Sequence, residues 1–191
     1  MTPALQPLVF PRQKDWTAWL ASNHDKSPGV WLRLAKKASG IQTVSYSEAL
    51  DVALCHGWID AQKKSESETT WLQRFTPRAT KSIWSKINRE KAMALVKAGR
   101  MKPAGLAQID RAKKDGRWEA AYDSPSSATA PPELQVALDQ NPRAKAFYAT
   151  LDSQNRYAIL FRIQTAKKPE TRVKRIQRFV EMLEKNEKLH P

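Results

Sequence analysis

The chain holds one cysteine, three histidines and six glycines in 191 residues, and each scarcity removes a class of chemistry. A lone Cys55 can form no intramolecular disulfide, so the chain is not built as a disulfide scaffold for an oxidising compartment. Three scattered histidines and one cysteine make no metal-ligand spacing. Neither a metal nor any other cofactor is expected. The glycines are dispersed and form neither G-x-G-x-x-G nor G-x-x-x-x-G-K, which removes the glycine-rich phosphate loops. No run approaches the ~18 apolar residues of a membrane span. The start, MTPALQPLVFPRQKDW, carries early prolines and no charged-then-apolar leader pattern. The expected location is therefore the cytoplasm.

Acidic residues are also few. Nineteen Asp and Glu stand against thirty-three Lys and Arg, for a net charge of +14 and a pI near 10.0. Such an excess favours anionic partners and is silent about fold. It is also uneven. Residues 72–102 hold nine basic side chains against Glu90, and residues 162–178 hold seven against Glu170. Concentration into two segments argues for a binding surface more strongly than diffuse charge does.

Apolar periodicity predicts the elements. Residues 12–24 read as a helix with Trp16, Trp19 and Leu20 on one face. Pro28-Gly29 breaks the chain, and residues 30–37 alternate as a half-buried strand with Val30, Leu32 and Leu34 inward. Ser45 and Glu48 form a capping box that opens a helix ending at Gly57. Residues 58–64 and 69–75 have strand character around the polar SESE, a β-hairpin. Asn88 is placed as the cap and Gly99 as the stop of the next helix, and Pro103 opens another that ends near Gly116. Residues 123–132 are rich in Ser, Ala and Pro and read as a linker-like loop. The last helix has Val173, Ile176, Val180 and Leu183 as its apolar stripe. The fold expected is α+β: a small, mainly antiparallel sheet with flanking helices, followed by a helical C-terminal region. The division expected is an α+β region over 1–122, the loop at 123–132, and helices over 133–191 packed on the first part, because helices this short do not stand alone in water.

The chemistry concentrates between Trp58 and Lys91, where tryptophans interleave with cations. Arg74, Arg78 and Lys81 run from the second hairpin strand into the Pro77 turn, and Ser82, Trp84, Ser85 and Asn88 follow. Arginine presents a planar fork that matches carboxylate and phosphate oxygens, and hydroxyls at a helix start add neutral donors. With Trp58 as an apolar floor, these eight residues are the candidate anion site. Asp60 sits in a strand, where aspartate is depleted. Its expected partner is Arg74 or Arg78, and it is the weak candidate for a catalytic base. Cys55 and His56 are adjacent on a helix and diverge by roughly 100°, so they form no nucleophile–base pair. Cys55 is expected to be a small buried residue.

The blocks ALCHGWIDAQKK (53–64), LQRFTPR (72–78), KSIWSKINREK (81–91), GRMKPAGL (99–106), GRWEAAYDSPS (116–126) and SQNRYAILFRIQTAKKPETRVKRI (153–176) run through most of the chain in order. With them the chain resembles the bacterial YdeI/OmpD-associated family, also labelled bacteriocin-protection proteins. His56 departs from the resemblance, standing where an aromatic such as Phe is expected. The resemblance implies a part in tolerating antimicrobial peptides or envelope stress. It carries over no catalytic residue, and it sets a family sometimes described as periplasmic against a chain without an export pattern. The functional expectation is a cytoplasmic stress-protection or binding protein that recognises an anionic small molecule. The alternatives are an enzyme acting on a phosphorylated or carboxylated small molecule and a non-specific nucleic-acid-binding protein.

Overall fold

The computed structural model describes residues 6–191, so the part of the N-terminal reading that rests on residues 1–5 lies outside the described residues. Among the described residues there are eight helices and one three-stranded antiparallel sheet, 48% helix and 13% strand, an α+β chain. None of these helices is long and apolar enough to cross a membrane. The chain divides into two compact units. One runs up to Ile83 and takes in Asn88–Glu119; the other joins Trp84–Ile87 to Ala120–Pro191.

The first unit follows the apolar pattern. Helix α1 (Gln13–Asn23) is followed by strand β1 (Val30–Ala35), helix α2 (Tyr46–Cys55) and the hairpin β2 (Trp58–Ser65) and β3 (Thr70–Pro77). The sheet order is β1-β3-β2. Alternation sorts β1 as expected, with Val30, Leu32 and Leu34 buried and Trp31, Arg33 and Ala35 half-buried on the other face. Register then sorts the neighbours. Val30 faces Phe75, Leu32 faces Gln73, and Trp31 faces Arg74. One face of the sheet therefore packs under the helices, and the other carries Trp31, Arg33, Leu72 and Arg74. The Ser45–Glu48 capping box forms, with both reciprocal bonds in place at the start of α2.

Helix α3 begins at Lys86, two residues ahead of the Asn88 expected as its cap, and runs to Lys97. Its end is as expected. Gly99 adopts φ +66, and the amides of Gly99 and Arg100 bond back to Val96 and Leu95, a Schellman-type stop. Helix α4 (Pro103–Lys114) follows after three residues. It closes on α2: the Lys102 amide donates to the Cys55 carbonyl at 3.1 Å. A side chain at Gly105 would meet the Cys55 and Leu54 carbonyls at 2.5 and 2.7 Å.

The second unit packs α5 (Pro132–Asp139), α6 (Pro142–Thr150), α7 (Ser153–Gln164) and α8 (Pro169–Glu184) around Leu134, Leu138, Ile159, Ile163, Phe179 and Leu183. Trp84–Ile87 joins it by pairing with Tyr122: the Tyr122 amide donates to Trp84 and the Lys86 amide to Tyr122, with a Lys86–Asp123 ion pair at 2.6 Å. The stripe of α8 is rotated from the expected one. Ile176, Phe179 and Leu183 are buried, whereas Val173 is 54% exposed. Both sets have helical spacing, and the packing of α8 against α5, α6 and α7 selects between them. Within the segment expected as a linker, Ser124, Ser126 and Ser127 form a hydroxyl-bonded turn.

Gly57 ends α2 at φ +74, where an added Cβ would stand 2.8 Å from the Ala104 carbonyl. Neither the backbone angle nor the backbone neighbour can yield cheaply. Gly57→Ala is expected to cost at least about 2 kcal/mol, measured by denaturant unfolding of the full chain.

Candidate functional site

The eight residues expected to converge on one exposed site have different surroundings. Trp58 is 1% exposed, donates from Nε1 to the His24 carbonyl at 2.9 Å, and meets Trp16 and Trp19 edge-on. Arg78 is 5% exposed and donates from Nη1 to the Ile83 carbonyl at 3.0 Å. Trp84 is buried. Three of the eight are thus interior side chains. Arg74 lies on the outer face of the sheet opposite Trp31, and Lys81 is exposed. Ser82 is half-buried, with its carbonyl accepting from Arg117 Nη1 at 2.5 Å. Ser85 takes part in the bridge to Tyr122, and Asn88 is half-buried in α3.

Asp60 has a different partner from the one expected. It stands opposite Phe75 in the β2–β3 register, one position from Arg74, so alternation sends the two side chains to opposite faces. The Tyr46 hydroxyl donates to Asp60 Oδ2 at 2.8 Å. Burial first, and then the Asp60 charge, push the Tyr46 phenol far above its ordinary range. The phenol stays neutral and remains a donor, and the bond holds the start of α2 to β2.

A cleft of about 600 Å³ opens elsewhere in the first unit, between α1, the end of α2 and residues 99–102. One wall is the stripe Gln13, Lys14, Thr17, Ala18 and Ala21 of α1, which lies beside the buried Trp16–Leu20 stripe. The opposite wall is Arg100 and Lys102, set by the Gly99 stop and by the bond from Lys102 to Cys55. Val52, Cys55 and His56 lie between. Lys14, Arg100 and Lys102 are exposed, and among the described residues no ion pair includes any of them. The nearby carboxylates are already committed, Asp15 to Arg12 and Asp51 to Lys91. The first turn of α1, whose N-cap Arg12 gives no side-chain cap, adds the positive end of a helix to the same wall.

Two titratable groups complete the cleft. Burial pushes the Cys55 thiol up, only partly offset by Arg100 and Lys102, so this side chain is a buried thiol rather than a nucleophile. Burial holds the His56 imidazole below its ordinary value, with His24 and Lys102 adding to the effect and the bond to Val52 opposing it. His56 Nδ1 lies 3.0 Å from the Val52 carbonyl, so Nδ1 carries the hydrogen and Nε2 keeps the lone pair. Among the described residues no group of three or more His, Cys, Asp or Glu side chains is placed to hold a metal ion. The sequence carried a partial signal for the cleft: positions 13, 14, 17, 18 and 21 form a helical stripe of polar and small residues. Nothing local tied that stripe to Arg100.

Arg78→Ala removes a charge-assisted bond inside the protein and is expected to cost about 1.5–3 kcal/mol, whereas Arg74→Ala should stay within about 0.5 kcal/mol. Urea unfolding of the two variants measures the contrast. His56 gives a pH test. Its folded value is lowered, so the unfolded chain takes up the proton first as pH falls below 6.5. Its contribution to stability is therefore present above that pH and lost below it. Melting temperatures followed from neutral pH to about pH 5 should fall in the wild type and fall less in His56→Phe.

Two family models match the chain. A domain of unknown function, DUF8412, covers residues 8–108, and the model described as Bacteriocin-protection, YdeI or OmpD-Associated covers residues 127–186. Of the six blocks that carry the resemblance, the one at 153–176 falls inside the second match, and the first four fall inside DUF8412. No curated protein and no solved structure matches the chain. The cleft lies entirely within residues 8–108. The chain belongs to the DUF8412 family, and its helical C-terminal region matches the model of the YdeI/OmpD-associated bacteriocin-protection family.

Proposed function

We propose that this protein binds a small anionic ligand in the cleft between α1 and α2. The observation that carries the reading is a set of cations with no ion pair among the described residues, Lys14, Arg100 and Lys102, around one cavity of about 600 Å³. Like charges gathered at an open cleft repel one another, and an anion between them relieves that repulsion. The volume lies inside the range of small-molecule sites. Ala18, Ala21 and Val52 give an apolar patch beside the charges, which suits a phosphorylated or carboxylated molecule with a compact apolar part. This moves the anion site from the Trp58–Asn88 segment to residues on either side of it. Trp58 does not line the cleft; its bond to the His24 carbonyl ties β2 to the end of α1. A protective role for the binding is supported by the bacteriocin-protection description of the family matched at residues 127–186. A cytoplasmic setting is supported by the sole thiol, Cys55, being buried and free.

A second reading is an enzyme acting on the same class of anion, and the observation that favours it is His56. Its Nδ1 is committed to Val52, leaving a neutral ring with an acceptor nitrogen in the cleft-lining residue, the form a general base needs. Asp60, engaged by Tyr46, is a poorer base.

The test is a thermal-shift panel of inorganic phosphate, sugar phosphates, dicarboxylates and nucleotides on the full chain. A ligand at a hundred times its Kd adds about 2.7 kcal/mol to stability. Each charge-assisted contact contributes about 1.5–3 kcal/mol, so Lys14→Ala or Arg100→Ala should weaken binding on the order of tenfold. Both side chains are exposed, so the ligand-free variants should stay within about 0.5 kcal/mol of the wild type. A panel with no hit, or a shift that survives both substitutions, removes the reading.

A further inference from the structure

We propose that the outer face of the β1-β3-β2 sheet docks single-stranded nucleic acid. This face lies away from the cleft, since α1 and α2 pack against the opposite one: Trp16 meets Phe75 at 5.8 Å from the helical side. On the outer face, Trp31 of β1 faces Arg74 of β3, and Leu72 of β3 stands between Arg33 of β1 and Lys64 of β2. The strands thus place one flat ring and one aliphatic side chain among three cations. Glu66 takes up the charge of Arg33 at 2.7 Å. Lys64 and Arg74 enter no ion pair among the described residues. Trp31 is half-buried and Lys64 is exposed, with Nζ 4.7 Å from the centre of the Trp31 ring. The exposed Lys64 ammonium lies over that π face, so a base that displaces it has the same access.

The chemistry of the face selects the occupant. Cations that enter no ion pair among the described residues, beside a half-buried tryptophan on the outer sheet face, match a chain of alternating phosphates and flat bases. A duplex keeps its bases stacked and would use only the cations. A base stacking on Trp31 displaces the Lys64 ammonium. Cation–π contacts at exposed sites are weaker than base–aromatic stacking, and the displaced Lys64 becomes available for a phosphate. Arg74, Arg33 and Lys64 offer a base edge donors only, so recognition is by stacking and charge, with little dependence on sequence.

The experiment is fluorescence anisotropy of a labelled oligothymidylate of about 12 nucleotides with the full chain. Binding is expected at ~50 mM salt and should weaken steeply as salt rises. Trp31→Ala changes no charge and should weaken binding about tenfold in a variant that still unfolds cooperatively well above the assay temperature, and Trp31→Phe should restore most of the loss. Arg74→Gln should lower the salt slope by about one, while Arg111→Gln, an exposed cation on α4, should leave the affinity within about twofold. Absence of binding overturns the proposal, as does Trp31→Ala binding like the wild type, which would leave only diffuse charge. A dimer in sedimentation that Trp31→Asp dissolves would assign the face to a second copy of the chain and overturn it as well.

Discussion

The first unit depends on one aromatic cluster. Trp16 stacks on Trp19 at 5.3 Å, meets Phe10 at 5.4 Å, and stands edge-on to Trp58 at 6.4 Å. Indole rings combine a large apolar area with one donor that must be satisfied when buried. Both buried donors are used to join elements distant in sequence. Trp16 Nε1 bonds the Ala49 carbonyl of α2 at 3.1 Å, and Trp58 Nε1 bonds the His24 carbonyl after α1 at 2.9 Å. Their geometry fixes the rotation of α1, and so the direction in which Gln13, Lys14 and Thr17 face. The cleft is a consequence of that rotation.

The other wall of the cleft is held by backbone rather than by side chains. Gly99 turns the chain out of α3, Lys102 donates its amide to Cys55, and Gly57 and Gly105 let α2 and α4 approach until carbonyls fill the space of absent Cβ atoms. With the wall held by bonds of this kind, the side chains of Arg100 and Lys102 enter no ion pair among the described residues. The same holds for Lys14 on α1. Charge that the fold has not absorbed is available to a ligand, and this distinguishes these three from Arg78, Arg117 and Lys86, each engaged within the protein.

The elements were legible because their signals are local. Capping at Ser45–Glu48, alternation in β1, the hairpin around residues 65–69 and the Gly99 stop are set by neighbours within a few positions, and each appears where the sequence places it. Asp60 was legible only as a residue in need of a partner, and Arg78, expected as a ligand-binding cation, is instead engaged by the Ile83 carbonyl. A carboxylate in a strand requires a donor, but Tyr46 and an arginine satisfy that need equally well on paper. The β2–β3 register rejected Arg74 by parity. The last helix shows the same limit: Val173 and Phe179 both continue an apolar stripe, and a packed neighbour was needed to choose Phe179.

The sequence by itself determined the class of the fold, the excess of cations and the exclusion of disulfide and phosphate-loop chemistry, because these follow from composition and short-range pattern. It also placed the chain within a family. Tertiary structure alone decided which cations are spent on the interior and which stay open. That choice depends on carbonyls and carboxylates dozens of residues away, such as Ser82 for Arg117 across thirty-five positions, or Asp51 for Lys91 across forty. Long-range pairing sets desolvation and charge compensation, and those two quantities separate a structural arginine from a binding one.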